Sequence, residues 1–275
     1  DKELFAKIDH TLLSPTATLQ QIRMLCIEAL DYKTASVCIP PCYVAQVRKE
    51  FPKLNICTVI GFPLGYQTLA AKLTETMQAI KDGANEIDMV VNITAAKNED
   101  YDTVIHEIEE IKKVCGKRIL KVIIETCYLT DEEKIMMCHS VSTAGADYIK
   151  PSTGFGTGGA TKEDIKLMAA NIGKNVKIKA AGGIKSKEDM EEFIRLGCSR
   201  LGTSSGVKIL KSKKASEEEK EAIRQKRAAE AEREYTEMQK RAAEAGKTDA
   251  MTPKERKANE KVRAKIRKEE DKKLK

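Results

Sequence analysis

The chain has 275 residues, 41% of them hydrophobic, and a formal charge of +7 from 49 Lys+Arg against 42 Asp+Glu. That length suits one large domain with something added. No apolar run approaches the roughly 18 residues of a membrane-spanning helix, and no leader pattern opens the chain. It begins at Asp1 rather than Met, which reads as trimming of the first residues, and a cytoplasmic protein is expected.

Taken from the N-terminus, short apolar or β-branched runs fall at 6–10, 34–39, 55–60, 86–91, 120–125, 147–150, 176–180 and 200–202. Amphipathic segments alternate with them at 19–30, 69–82, 101–115, 131–144, 162–171 and 187–196. Thr18 precedes the first segment, while Thr161-Lys-Glu-Asp164 and Ser186-Lys-Glu-Asp189 resemble capping boxes with Asp in the place of Glu. Eight strands alternating with helices imply a parallel sheet, and eight is the number that closes a (β/α)8 TIM barrel. An open doubly wound sheet is the rival. Asp9, Cys38, Asp88, Glu125, Lys150, Lys179 and Thr203 each lie at or just past the end of a separate run. A barrel gathers those ends around one mouth, so the barrel is preferred, over residues 1–212.

From residue 213 the composition turns to Ala, Glu, Lys and Arg. Residues 211–275 hold 22 basic and 15 acidic side chains, so the whole surplus of seven lies there and residues 1–210 are neutral. Ser216-Glu-Glu-Glu219 and Thr252-Pro-Lys-Glu255 are helix starts, predicting a charged helical extension with helices near 216–246 and 252–274. Large apolar residues are too sparse there for a core or a heptad seam. Contact with an acidic partner or surface is one expectation for it, and a solvated extension without a partner is the other.

Lysines inside apolar strands carry the chemistry. Lys150 ends Asp147-Tyr-Ile-Lys150, and Lys179 ends Val176-Lys-Ile-Lys179 on the next strand. Solvent-seeking strand-end lysines would look the same, but repulsion and desolvation at one mouth lower a lysine pKa and free a nucleophilic amine. Asp88, in the apolar stretch Glu86-Ile-Asp-Met-Val-Val91, is costly to bury unpaired. It is either a structural ion pair with a lysine or a proton shuttle working with Lys179. Gly182 and Gly183, then Ser204 and Ser205, follow strands seven and eight, where barrels build phosphate sites. Thr153, in Ser152-Thr153-Gly154 after strand six, adds a hydroxyl for substrate, and Cys38 is expected either to line the mouth against substrate or to pack in the core. The eight cysteines contain no CxxC pair and read as reduced thiols, mostly small core residues. His10, His106 and His139 form no metal-spaced cluster, so no metal site is expected.

Five stretches resemble the deoxyribose-phosphate aldolase family: Ile8-Asp-His-Thr-Leu-Leu13, Val59-Ile-Gly-Phe-Pro-Leu-Gly65, Glu86-Ile-Asp-Met-Val-Val-Asn92, Asp147-Tyr-Ile-Lys-Pro-Ser-Thr-Gly-Phe155, and Lys179-Ala-Ala-Gly-Gly-Ile184 with Gly202-Thr-Ser-Ser-Gly-Val207. The resemblance covers residues 4 to about 210. It implies a class I aldolase without metal or cofactor, with Lys150 as the Schiff-base amine and Asp88 and Lys179 as proton donor/acceptors. It also implies reversible cleavage of 2-deoxy-D-ribose 5-phosphate to glyceraldehyde 3-phosphate and acetaldehyde, with a homo-oligomer as an open possibility. Three departures from the family pattern stand out. Pro151 takes the place of the usual Thr, Phe155 takes the place of a lysine used by some members for phosphate, and no C-terminal tyrosine is evident, since the chain ends at Lys275. A ketose-phosphate aldolase and a non-catalytic scaffold on a barrel are the alternatives.

Overall fold

In the computed structural model, which describes residues 2–211 together with Arg233 and Thr236, the strands pair in the order β1 to β8 and close on themselves. Strands and helices follow one another as α1 (Lys2–Phe5), β1 (Ile8–Thr11), α2 (Leu19–Tyr32), β2 (Ser36–Ile39), α3 (Val44–Glu50), β3 (Ile56–Ile60), α4 (Leu69–Lys81), β4 (Glu86–Val90) and α5 (Ile93–Lys97). The second half runs α6 (Tyr101–Cys115), β5 (Ile119–Ile123), α7 (Asp131–Thr143), β6 (Tyr148–Lys150), α8 (Lys162–Asn171), β7 (Lys177–Ala181), α9 (Lys187–Arg195), β8 (Cys198–Thr203) and α10 (Gly206–Leu210). All eight ladders are parallel, and β1 pairs with β8 to complete the barrel. Apart from Arg233 and Thr236, the predicted helices near 216–246 and 252–274 lie outside the described residues. Among the described residues no helix is long and apolar enough to cross a membrane.

Local chemistry explains the helix starts. Thr18 and Gln21 exchange both bonds of a capping box, as do Thr130 with Glu133 and Ser186 with Asp189. Each such cap is worth about 1 kcal/mol. Thr161 caps α8 through the Asp164 N–H, but the Asp164 carboxylate turns away from the box. It takes the Thr126 hydroxyl at 2.9 Å and the Lys134 ammonium at 2.8 Å instead.

Successive side chains along a strand point to opposite faces of the sheet, and here the two faces differ in chemistry. Outward residues such as Val37, Ile39, Ile87, Met89, Leu120, Val122, Ile149 and Ile178 join the large apolar core shared with the helices. The inward positions hold Asp9, Ser36, Glu86, Asp88, Lys121, Lys150 and Lys179, all buried, with Arg200 partly so. A small apolar cluster of Cys38, Cys57 and Val59, flanked by Leu13 and Phe62, shares the interior. The β7–β8 ladder shifts register between Ile178 and Lys179, so that Lys179 lies opposite Arg200.

One loop needs a glycine. Gly65 has φ +75°, and a Cβ there would sit 2.0 Å from the Val91 carbonyl oxygen. Its absence lets the loop after β3 lie directly on the end of β4.

Candidate active site

Asp88, in the middle of β4, is the hub. It has no solvent exposure. Its Oδ2 accepts from the Lys150 ammonium at 2.9 Å and from Lys179 at 2.6 Å. Oδ1 accepts from Lys121 at 2.9 Å and from the Cys57 thiol at 3.1 Å. One buried carboxylate thus takes three ammonium groups from β5, β6 and β7.

A second tier of charge lies beneath. Lys179 also pairs with Asp9 at 2.6 Å, and Asp9 takes Arg200 and the Ser36 hydroxyl, each at 2.6 Å. Lys121 reaches Glu86 at 2.5 Å, and Arg200 reaches the same carboxylate at 3.2 Å while lying over the Tyr148 ring. The sequence places Asp9, Asp88 and Lys179 at strand ends, whereas the structure sets them within β1, β4 and β7. The ladders extend beyond the polar residues, because in a barrel those residues point into the interior instead of ending the strand. Lys150 does end β6, one level above them.

The electrostatics follow from this packing. Desolvation opposes the Asp88 charge, but Lys121, Lys150 and Lys179 together outweigh it and hold the carboxyl well below the usual range. Asp9 is likewise lowered: burial opposes its charge, while Lys179, Lys121 and Arg200 prevail. Burial works against the Lys179 ammonium, yet Asp88 and Asp9 hold its pKa above the ordinary lysine value. Lys121 is raised in the same way, against its own desolvation, chiefly by Asp88. The expectation that clustered lysines depress one another therefore fails at Lys179, because two carboxylates face it and dominate.

Lys121 escaped the sequence reading although it carries the same signal, a lysine in an apolar strand (Ile119-Leu-Lys-Val-Ile123). Cys38 is fully buried beside Cys57, beneath the mouth instead of lining it openly. Cys38, Cys57 and Asp88 hold their ligand atoms within 4.8 Å of one another, the grouping of potential metal ligands among the described residues. The three ammonium groups already on Asp88 disfavour a divalent cation there.

Above this charged interior, the loops after β7 and β8 leave neighbouring strand ends, with Ala181 opposite Gly202. Gly182 and Gly183 both adopt positive φ, 77° and 76°. Ser204 is exposed and Ser205 half-buried, just before α10. Thr153 is buried, with its N–H and hydroxyl directed at Glu125. Phe155 is exposed and packs edge-on against Phe62 at 5.2 Å between ring centroids.

The model of the DeoC/LacD family aldolases matches residues 4–213. The chain belongs to that family. Among curated members of the family it is 60% identical over 210 residues to the deoxyribose-phosphate aldolase of Clostridium botulinum, covering 76% of this chain and 95% of that protein. It is 59% identical over 212 residues to the deoxyribose-phosphate aldolase of Clostridioides difficile, covering 77% and 97%. Among solved structures of the family's fold, the tetrameric deoxyribose phosphate aldolase of Aeropyrum pernix superposes with a TM-score of 0.73 at 34% identity, over 78% of this chain and 93% of that one. An aldolase called QR15 gives 0.72 at 37% identity, over 75% and 93%.

Proposed function

We propose that this chain is a deoxyribose-phosphate aldolase that cleaves 2-deoxy-D-ribose 5-phosphate reversibly to D-glyceraldehyde 3-phosphate and acetaldehyde through a Lys150 Schiff base. The observation that carries the mechanism is the shared Asp88 Oδ2, 2.9 Å from the Lys150 nitrogen and 2.6 Å from that of Lys179. A neutral Lys150 amine adds to the C1 aldehyde, and the carbinolamine loses water to give an iminium. That cation draws the electron pair of the C2–C3 bond as the C3 hydroxyl gives up its proton, releasing glyceraldehyde 3-phosphate and leaving an enamine. Protonation at C2 and hydrolysis then return acetaldehyde and the amine. Asp88, Lys179 and water move the protons, with Lys179 kept cationic by its two carboxylates.

Gly182, Gly183, Ser204 and Ser205 bind the phosphate in this reading, with Phe155 leaving that work to backbone and hydroxyl donors. The catalytic barrel is residues 1–212. Its support is that the family match stops at residue 213 and that about 210 residues here span nearly the whole of the relatives. Residues 213–275 are then an addition, and their basic surplus makes them the place where an acidic partner would bind. A homo-oligomer in a reducing cytoplasm completes the reading, in keeping with the Aeropyrum pernix tetramer and the eight free thiols.

Borohydride trapping with acetaldehyde, followed by peptide mass mapping, tests the mechanism. Wild type is expected to carry the label on Lys150, and Lys150→Arg to lose it, because a guanidinium stays protonated and cannot attack a carbonyl. Undiminished labelling in the variant would place the nucleophile elsewhere.

A further inference from the structure

Glu125 stands just past β5 in the left-handed backbone region, φ 51°, with 2% of its surface exposed. A non-glycine residue held in that region is uncommon, and such residues cluster where surrounding structure enforces them for a purpose. A carboxylate so buried also needs strong donors. Thr153 supplies them: its backbone N–H donates to Oε1 at 3.1 Å and its hydroxyl donates to Oε2.

The neighbours of Glu125 grip the same segment. The Ile124 N–H donates to the Lys150 carbonyl at 3.0 Å, and the Thr126 N–H donates to the Pro151 carbonyl at 2.8 Å. Three consecutive residues, 124 to 126, therefore bind 150, 151 and 153. Beyond Thr153 the segment stays shaped by its own hydroxyls, with the Phe155 N–H on Thr153 Oγ1 at 3.0 Å and the Gly154 N–H on Ser152 Oγ at 3.0 Å. It then runs against the next turn: the Ala160 N–H donates to the carbonyls of Ala181 and Gly182 at 3.1 and 3.2 Å. Gly159 lies so close that an added Cβ would be 2.6 Å from the Gly182 carbonyl carbon. One piece of chain thus connects the Lys150 strand end to the glycine pair, and Glu125 fixes its first turn.

We propose that Glu125 is a positioning residue whose carboxylate latches Thr153, and that this latch holds the 151–160 segment in the shape that couples phosphate binding at Gly182 and Gly183 to alignment of the substrate at Lys150. The latch rests on the aldolase reading given above. Phosphate binding accelerates a distant bond cleavage only through a stiff connection, because the binding energy is used to orient the reacting carbon. Loosening the connection leaves the amine competent and wastes the phosphate.

The test compares wild type with Glu125→Gln, Thr153→Val and the double variant, the single substitutions being close to isosteric. Wild type is first trapped with acetaldehyde and borohydride. Label absent from Lys150 overturns the aldolase reading and the latch with it. With label on Lys150, trapping of Glu125→Gln by acetaldehyde, which has no phosphate arm, is expected to stay within about threefold of wild type, all variants being assayed at a temperature where each is still folded, since a lost partner for a buried polar group lowers the melting temperature. The kcat/KM for 2-deoxyribose 5-phosphate should fall about tenfold relative to that for unphosphorylated 2-deoxyribose, since small misplacements are costly to oriented reactions. The double variant should fall little further than the worse single one, as expected for two halves of one contact. Equal losses on both sugars, or losses that multiply in the double variant, overturn the latch while leaving Lys150 intact. Disappearance of one limb of the pH–rate profile in Glu125→Gln also overturns it, by making Glu125 a proton-transfer group.

Discussion

Replacing Lys121 by Met keeps an unbranched side chain one atom shorter and removes one charge from the floor of the proposed active site. Lys121 Nζ lies 2.5 Å from Glu86, 2.9 Å from Asp88 and 3.8 Å from Asp9, all without solvent. After the substitution Glu86 keeps Arg200 at 3.2 Å, and Asp88 keeps Lys150 and Lys179. The loss is therefore that of one broken buried pair, about 3–5 kcal/mol. At roughly 2–4 °C per kcal/mol for a domain of this size, the melting temperature should drop by about 6–20 °C. A second effect concerns pH. Among the charges that depress Asp88, Lys121 is foremost, acting against desolvation. A carboxylate depressed in the folded state contributes stability that is present above its unfolded pKa and lost as pH falls through the folded one. Without Lys121 the folded pKa rises, so both acid unfolding and the acid limb of activity move to higher pH. Melts and kcat/KM measured between about pH 3 and 8 would show both effects. A melting temperature within about 2 °C of wild type, with an unmoved acid limb, would refute the reasoning, because it would mean that a neutral side chain satisfies this floor as well as a charge does.

Ser204→Asp places a like charge at the proposed phosphate site, so cleavage of 2-deoxyribose 5-phosphate should fall by about tenfold or more while acetaldehyde self-condensation persists. Equal loss of both activities would indicate damage to the barrel. Gly65→Ala forces a Cβ to within 2.0 Å of the Val91 oxygen at φ +75°, and its melt should fall by more than the few degrees that about 1 kcal/mol represents. An unchanged melt would show that the loop after β3 moves off β4 at no cost.

Much of the fold was legible because the strands repeat one pattern. The alternation of apolar runs with amphipathic segments predicts the eight strands, and α6 and α8 occur at the predicted bounds. The short helices α1, α3, α5 and α10 offered too few turns for a periodic signal. The Asp88, Lys150 and Lys179 meeting was legible because each of the three interrupts a short apolar or β-branched run of its own strand. Lys121 carried the same signal and was passed over, while Glu86 and Arg200 could not be placed, since position along a strand gives no depth until the barrel's pairing register is known. Glu125 was visible as a polar residue after β5, but its partner Thr153 is 28 positions away, and no local pattern links the two.

The alternation of side chains along each strand divides the burdens of this protein. On β4, Ile87 and Met89 face the helices and belong to the core, while Glu86 and Asp88 face the barrel axis. On β7, Ile178 and Ala180 face the core and Lys179 the axis. Chemistry is therefore assigned to axis-facing residues, and folding to their core-facing neighbours together with the buried ion pairs. A saturation library read out twice, once for abundance and once for turnover, should show an apolar comb sensitive in abundance and, offset by one residue, a charged comb that loses turnover beyond its loss of abundance. Selection can retune the charged comb for new carbonyl substrates while the apolar comb holds the scaffold, within the limit that the network keeps its charges paired.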